Sequence, residues 1–413
     1  MGNYNVNFEK IKENGDNLVK QAEKVEVTFH CCIELPNKAT AEISSKIFKL
    51  GEGSFGIMFC AEDKNGKKFA IKYDSEGRED TRVSYIRELI ASTIIQQNIQ
   101  NLNYIRKIYF FGKIKPCKSD NGIKKIGDDY WGFNDNYHSC LFCQYIDEDG
   151  RFDIFSVPNN IKINIFYYLA SGLNHLHLSG IIHNDLRNEN LIASLQDFNI
   201  IDLGKSYIKK EILENFWNTN DEYKKFLKQN NIDFSNEFEI EGDYLYRLNV
   251  GQTATIETFK DKQKYDIYSF GILGMMIFIG CHPFASTKEI QDYQKHPTML
   301  AIIKRMQKGE FIDGISEEMG IIPENLCNIL KRCLSDKTID GNELSEVIEY
   351  YNLQTKKMSS TGTNQTVSNE AEIFPPKKEK SKNSDETMNL KISTSENKPE
   401  HTGDKKKLVM LKK

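Results

Sequence analysis

His183-Asn184-Asp185-Leu186-Arg187-Asn188-Glu189-Asn190 is followed, after ten intervening residues, by Ile201-Asp202-Leu203-Gly204. An Asp and an Asn separated by four residues, then a second Asp before Gly on a short hairpin, is the layout that phosphoryl transfer needs. In that layout Asp185 orients the attacking hydroxyl, while Asn190 and Asp202 hold magnesium on the nucleotide phosphates. Either fragment alone is a weak signal. Their order and spacing together decide how the chain is read.

Upstream, Leu50-Gly51-Glu52-Gly53-Ser54-Phe55-Gly56-Ile57-Met58 spells G-x-G-x-x-G between two apolar stretches. A Rossmann turn would open a helix at the third Gly and place an acid after a second strand. Here Ile57-Met58-Phe59-Cys60-Ala61 continues as strand, Asp63-Lys64-Asn65-Gly66 turns, and Phe69-Ala70-Ile71-Lys72 returns. Strand, turn, strand, turn, strand makes a hairpin lid over phosphates. The stretch 82–97 reads as a helix with Tyr85-Ile86, Leu89-Ile90 and Thr93-Ile94 on one side. Glu88 within it is the acid expected to pair with Lys72, with Glu79 and Asp80 as nearby competitors.

Tyr265-Asp266-Ile267-Tyr268-Ser269-Phe270-Gly271-Ile272-Leu273-Gly274 completes the set. Five motifs in one order resemble those of the eukaryotic-type protein kinases over roughly residues 46–351: the glycine-rich loop, V-A-I-K, H-R-D-x-x-x-x-N, D-F-G and D-x-W/Y-S-x-G. The resemblance implies an α+β, bilobal protein-kinase fold: a small, mainly antiparallel-β lobe with one key helix, and a larger, mainly α-helical lobe. It implies catalytic roles for Asp185, Arg187 and Asn190, with Asn190 and Asp202 binding Mg2+. ATP contacts are implied for Leu50, Gly51, Glu52, Gly53, Ser54, Phe55, Gly56, Met58, Ala70, Lys72, Glu88, Gln144, Ile146 and Ile192. Lys72 would reach the α- and β-phosphates, Cys143 would be the gatekeeper, and the backbone of 144–146 would meet adenine. Asp266 would accept backbone hydrogen bonds from the 183–190 loop, a buried, charge-assisted contact.

The 413 residues leave room for two lobes plus extensions, and 39% hydrophobic content suits a globular core. A net charge of −4 argues against nonspecific nucleic-acid binding. Nine cysteines, an odd number scattered from Cys31 to Cys333, read as reduced intracellular thiols, so a cytoplasmic protein is expected. Cys140-x-x-Cys143 has no second pair and lies in an apolar strand, so it reads as structural. The apolar run 272–279 is too short and interrupted for a membrane span, and no transmembrane segment is expected.

The expected organisation is an extension over 1–42, a kinase domain over 43–351 and a disordered Ser/Thr/Lys-rich tail over 352–413. The extension carries a helix at 8–24 and a strand-like 25–35. The small lobe ends near residue 146 and carries an insertion, 115–137, read as an extended hairpin. The large lobe carries a helix at 161–178 and a closing pair at 324–334 and 341–350. Between them, 202–257 is a long activation segment. Within it Ile208, Ile212, Phe216, Tyr223, Phe226 and Leu227 predict an amphipathic helix docked on the kinase domain. The basic end, 405–413, leaves a nuclear address or an anionic-membrane tether open beside a simply solvated tail.

Departures from the family pattern qualify the reading. Asn184 replaces the Arg that pairs with a phosphorylated segment, so activation is not expected to follow that route. Arg187 keeps a cation near the transferred phosphate. Ser92, one turn after Glu88, stands where an apolar residue is expected and predicts a loosened helix. Serine/threonine specificity is read from Asn188-Glu189-Asn190 and Thr253. The alternative to an active kinase is a pseudokinase or scaffold with negligible turnover.

Overall fold

The computed structural model describes residues 29–32, 40–43, 48–53, 56–62, 68–74, 79–98, 104–116, 125–126, 129–130, 138–146, 153–193, 197–229, 232–239, 243–248, 256, 258–292, 295–335 and 338–360. Seven strands form one antiparallel sheet: β1 (Phe29–Cys32), β2 (Thr40–Ile43), β3 (Phe48–Gly53), β4 (Gly56–Glu62), β5 (Lys68–Tyr73), β6 (Ile108–Pro116) and β9 (His138–Gln144). Their order is β2-β1-β6-β9-β5-β4-β3. Between β6 and β9 the pair β7 (Lys125–Ile126) and β8 (Asp129–Tyr130) makes the hairpin expected of the insertion. Helix α1 (Glu79–Asn98) lies across β6 and β9. It buries Tyr85, Ile86, Leu89, Ile90 and Ile94, the face that the helical spacing marked out. On β5, Phe69, Ala70, Ile71, Lys72 and Tyr73 are all buried, so this central strand is covered on both faces.

The small-lobe sheet begins upstream of residue 43, where the border with the extension was expected. β1 pairs with both β2 and β6. An edge strand joins through its backbone groups, which carry little sequence signal. The expected helix at 8–24 lies outside the described residues.

Helix α2 (Asn159–Leu178) carries the large lobe's core through Tyr168, Leu169, Leu173 and Leu176, all buried. After it come β10 (Ile181–Ile182), the 183–190 loop, and the hairpin of β11 (Leu191–Ala193) with β12 (Phe198–Ile200). β13 (Tyr207–Ile208) returns antiparallel to β10. The segment beyond forms two helices, α3 (Lys210–Thr219) and α4 (Asp221–Gln229), instead of one. Leu213, Phe216 and Leu227 are buried on their inner face. The break falls at Asn220, whose side chain turns back to accept the role of a C-cap by donating to the Phe216 carbonyl at 2.9 Å. The Phe226 side chain lies outside the described residues.

Helix α5 (Phe259–Ile279) starts at a Thr258/Asp261 capping box and stops at Gly280 in the left-handed region, φ 77°. It is buried around nearly its whole circumference because it forms the lobe's axis. Gly274 permits the close approach: a methyl group there would run into Phe166 of α2 and Leu330. The remainder is α6 (Thr287–Gln291), α7 (His296–Lys308), α8 (Ile315–Glu318), α9 (Glu324–Cys333) and α10 (Glu343–Ser360). α10 runs past residue 351, where the tail was expected to begin. The residues 352–358 are mostly good helix formers, and Tyr351 stacks on Tyr167 at 3.9 Å between ring centroids.

Candidate active site

Lys72, in mid-sheet on β5, points its ammonium to Glu88 Oε2 at 3.2 Å and to Asp202 Oδ1 at 2.8 Å. Glu88 Oε1 accepts in turn from Arg106 Nη2 at 3.3 Å. Glu88 and Arg106 have side chains only 1% and 4% exposed. Burial on this scale is costly for any lone ion, and two cations with two carboxylates offset one another. Burial works against the charged form of Lys72, yet Asp202 and Glu88 prevail and raise its pKa above the lysine norm. For Asp202, burial pushes upward, but the Lys72 ammonium beside it brings the carboxyl down to about 2. Glu88 therefore has Lys72 as its partner, and Glu79 and Asp80 lie at the exposed start of α1.

Ser92 does not loosen α1. Its hydroxyl accepts the Ile108 backbone N–H at 3.1 Å and the Gln96 amide at 2.9 Å, and Gln96 also donates to the Ile108 carbonyl at 3.3 Å. A polar residue here takes up the otherwise unpaired start of β6, so it fastens the helix to the sheet.

The 183–190 loop hangs from Asp266 on α5. That carboxylate accepts the N–H of His183 at 2.7 Å and of Asn184 at 2.8 Å, and pairs with His177 Nε2 at 2.9 Å. The loop backbone turns at Asn184, φ 63°, and the second motif turns at Asp202, φ 64°. Asn and Asp are the side-chain types that tolerate this region best. His183 joins the two motifs. Its Nε2 faces the Ile201 carbonyl at 3.0 Å and its Nδ1 faces the Asp185 N–H at 3.3 Å, so the neutral ring donates from Nε2 and accepts at Nδ1.

Asp185 and Asn190 come together at the end of a single 3-10 turn, where Asn190 Nδ2 donates to the Asp185 carbonyl at 2.7 Å. The buried Asp185 Oδ1 has no hydrogen-bond partner among the described residues. Two cations flank this carboxylate: Arg187 Nε lies 3.9 Å from Oδ1 and Lys205 Nζ 3.6 Å from Oδ2. Beside it opens a small cleft lined by Asn184, Asp185, Tyr246, Arg247 and Asp266.

The remaining expected nucleotide contacts fall mainly on the small-lobe strands and on β11. Leu50, Met58 and Ile192 are half-buried, and Ala70 is buried opposite Cys143 in the sheet register. Cys140 and Cys143 are fully buried and form no disulfide, and burial raises the pKa of Cys143 to about 12. Gln144 donates its N–H to the Lys107 carbonyl at 2.8 Å and accepts the Lys107 N–H on its side chain at 3.3 Å, so its own amide is already engaged. Ile146 is buried just beyond. Gly53 stands opposite Gly56 at the tip of the β3–β4 hairpin, with Gly51 and Glu52 in β3. Ser54, Phe55 and Thr253 lie outside the described residues.

Comparison with known proteins agrees with this geometry. The family model described as the protein kinase domain matches residues 44–221, the small lobe through the loop and hairpin just described. Calcium-dependent protein kinase 4 of Plasmodium falciparum is 24% identical over 268 residues, 63% of this chain and 40% of that protein. Cyclin-dependent kinase 11 of Dictyostelium discoideum is 25% identical over 193 residues, covering 44% of this chain and 45% of the relative. Serine/threonine-protein kinase PSK1 of Saccharomyces cerevisiae is 28% identical over 188 residues, covering 42% and 12%. The matched part of the chain thus spans less than half of each relative's length. Residues 44–221 thus carry a protein kinase domain of the eukaryotic type. Its group within that family is unassigned.

Three features of the site escaped the sequence reading. Arg106 stands beside Lys107 in Ile105-Arg106-Lys107-Ile108, with no periodic or motif signal pointing to Glu88. Lys205, directly after Gly204, carried no mark of its approach to Asp185. Asn184 read only as a missing Arg, although its amide donates to the Lys205 carbonyl at 3.2 Å and the Glu239 carbonyl at 2.9 Å.

Proposed function

We propose that this chain is an active kinase that transfers the γ-phosphate of ATP to serine and threonine hydroxyls of protein substrates. The observation that carries the reading is Lys72 held at once by Glu88 and Asp202, residues 16 and 130 positions away. That closure draws α1, the sheet and the Asp202 hairpin into one charged cluster facing the phosphate side of the cleft. A scaffold has no use for an ionic cluster so costly to bury.

Magnesium fits the donor set. Asn190 and Asp202 offer hard oxygen ligands, and the Asn190 amide nitrogen, turned to the Asp185 carbonyl, leaves its oxygen facing the other way. The described residues hold no cluster of three or more His, Cys, Asp or Glu, so phosphate and water oxygens would complete such a shell. When bound, the ion would offset charge on the phosphates. Lys72 would hold the α- and β-phosphates in place by a fixed charge.

Asp185, its carboxylate flanked by Arg187 and Lys205, accepts the proton of the incoming hydroxyl. The hydroxyl oxygen bonds to the γ-phosphorus as the bond from that phosphorus to the ADP oxygen breaks. Positioned proton acceptance of this kind contributes roughly 10²–10⁴-fold. Arg187 and Lys205, 3.9 and 3.6 Å from the Asp185 carboxylate, would offset charge on the transferred group. Serine/threonine preference is supported by Asn188-Glu189-Asn190 and by the name of the yeast relative.

The test is transfer of label from Mg-ATP to a peptide mixture containing Ser, Thr and Tyr acceptors, followed by identification of the phosphorylated amino acid. Label on Ser and Thr is expected. Label on Tyr alone would refute the specificity, and transfer no greater than that of Asp202→Asn would refute the activity.

A further inference from the structure

The stretch 232–239, inside the activation segment, has the burial pattern of an extended strap. Ile232, Phe234, Asn236 and Phe238 turn inward, while Asp233, Ser235, Glu237 and Glu239 are exposed. Each inward side chain from 234 on has a defined seat. Phe234 meets Trp217 of α3 edge-on at 5.8 Å and lies under the Arg87 guanidinium, also at 5.8 Å. Asn236 exchanges two hydrogen bonds with the backbone of Ile208, accepting its N–H at 3.1 Å and donating to its carbonyl at 2.6 Å. Phe238 packs on Tyr207 and on Tyr265 of α5, each at 5.6 Å, with the Lys262 ammonium 5.4 Å above its ring.

The strap's backbone carbonyls are held from two further sides. Arg87, next to Glu88 on α1, donates to the Ser235 carbonyl at 2.8 Å and to the Gly204 carbonyl at 3.2 Å. Asn184, next to Asp185, donates to the Glu239 and Lys205 carbonyls. The neighbours of Glu88 and Asp185 thus grip the same strap, one at its middle and one at its last residue. The sites that a charged group could have filled are filled by neutral backbone oxygens.

We propose that 232–239 is a built-in strap that keeps α1 and the catalytic loop in their working arrangement, with Arg87 and Asn184 as positioning residues and no phosphate on the segment required. The proposal rests on the reading of the chain as an active kinase. A shift of α1 of even 1 Å would carry Glu88, and with it Lys72, away from the phosphates.

The full chain is expressed in bacteria, treated with phosphatase and checked by intact mass. Peptide phosphorylation is then measured for the wild type, Arg87→Ala, Arg87→Lys and Asn236→Ala, with amide hydrogen exchange on the nucleotide-free chains. The wild type is expected to be active without phosphate. Arg87→Ala and Asn236→Ala are expected to lower kcat about ten- to a hundredfold while KM for ATP moves less than about threefold. Arg87→Lys, which keeps a donor, recovers part of the loss, and it carries the comparison if Arg87→Ala does not fold. Exchange should quicken in 205–208 and in α1 but not in α2 or α5. A wild type active only after an upstream kinase modifies the segment, or an Arg87→Ala kcat within about twofold of the wild type, overturns the proposal. A wild type inactive in every state would fail the kinase reading instead. The strap would then stand or fall on exchange alone, and unchanged protection of 205–208 in the variants would refute it.

Discussion

Neutralising Glu88 is the sharpest structural perturbation the site offers. Its carboxylate is 1% exposed and serves Lys72 at 3.2 Å and Arg106 at 3.3 Å. In Glu88→Gln the amide oxygen can still accept from Arg106, but the amide nitrogen then faces the Lys72 ammonium, donor against donor. Lys72 retains Asp202, so the cluster is left with two buried cations and one carboxylate. Removing one partner of a buried ion pair costs about 3–5 kcal/mol, a large part of a domain's total stability. Arg106→Met alone leaves Glu88 with Lys72 and should cost roughly 2–3 kcal/mol. Joined to Glu88→Gln, it restores the balance of one cation to one carboxylate. The double variant should therefore fall short of the additive loss by about 2 kcal/mol or more. Urea unfolding at neutral pH, extrapolated to water for the four chains, measures this directly. Activity should stay low in the double variant, because Lys72 has lost its tether to α1 even where stability returns. Losses that add within about 0.5 kcal/mol would refute the account of four mutually balancing charges.

Two further outcomes follow from single groups. Asp202→Asn should lower Mg-ATP-dependent transfer by at least about a thousandfold, since it removes a charged oxygen, and the Tm should fall as well, because Lys72 loses one of its two carboxylates even though Asn suits the left-handed backbone there; transfer near the wild-type rate would contradict the assigned role. His282 is buried, with Nε2 on the Leu245 carbonyl at 2.7 Å and Nδ1 accepting the Phe284 N–H at 3.2 Å, and burial lowers its pKa from 6.5 to about 4. The unfolded chain takes a proton that the fold resists, so stability should decline as pH falls from about 6.5 to about 4, by up to about 3 kcal/mol, and then level off for this group. Comparing the pH dependence of unfolding with that of His282→Gln checks it, and parallel curves across that window would show that the ring does not titrate as described.

Motif order made the two lobes legible because phosphoryl transfer demands particular residue types at particular spacings, and those spacings survive whatever surrounds them. The partners of Lys72 and of the 183–190 loop could be named for the same reason, through Glu88 and Asp266. Arg106 could not, because its partner is chosen by the crossing of α1 over β6, which no local pattern encodes. Ser92 misled the reading: taken as a gap in an apolar row, it meets the unpaired backbone of Ile108. The strap was hidden by its alternation. A period of two in a segment searched for helical spacing leaves Phe234, Asn236 and Phe238 unmarked. The border near residue 43 and the length of α10 depended on edge pairing and on one stacked tyrosine, both products of tertiary packing.

The central claim is that Asp185 receives a proton from a substrate hydroxyl in a cluster otherwise ready for transfer. Asp185→Asn keeps the shape of the side chain and removes its basicity. Single-turnover transfer to a serine peptide, measured together with ATP affinity by calorimetry, separates chemistry from binding. The account predicts that the variant binds Mg-ATP within about threefold of the wild type and transfers phosphate at least roughly a hundredfold more slowly. Equal transfer rates in the two chains would contradict it.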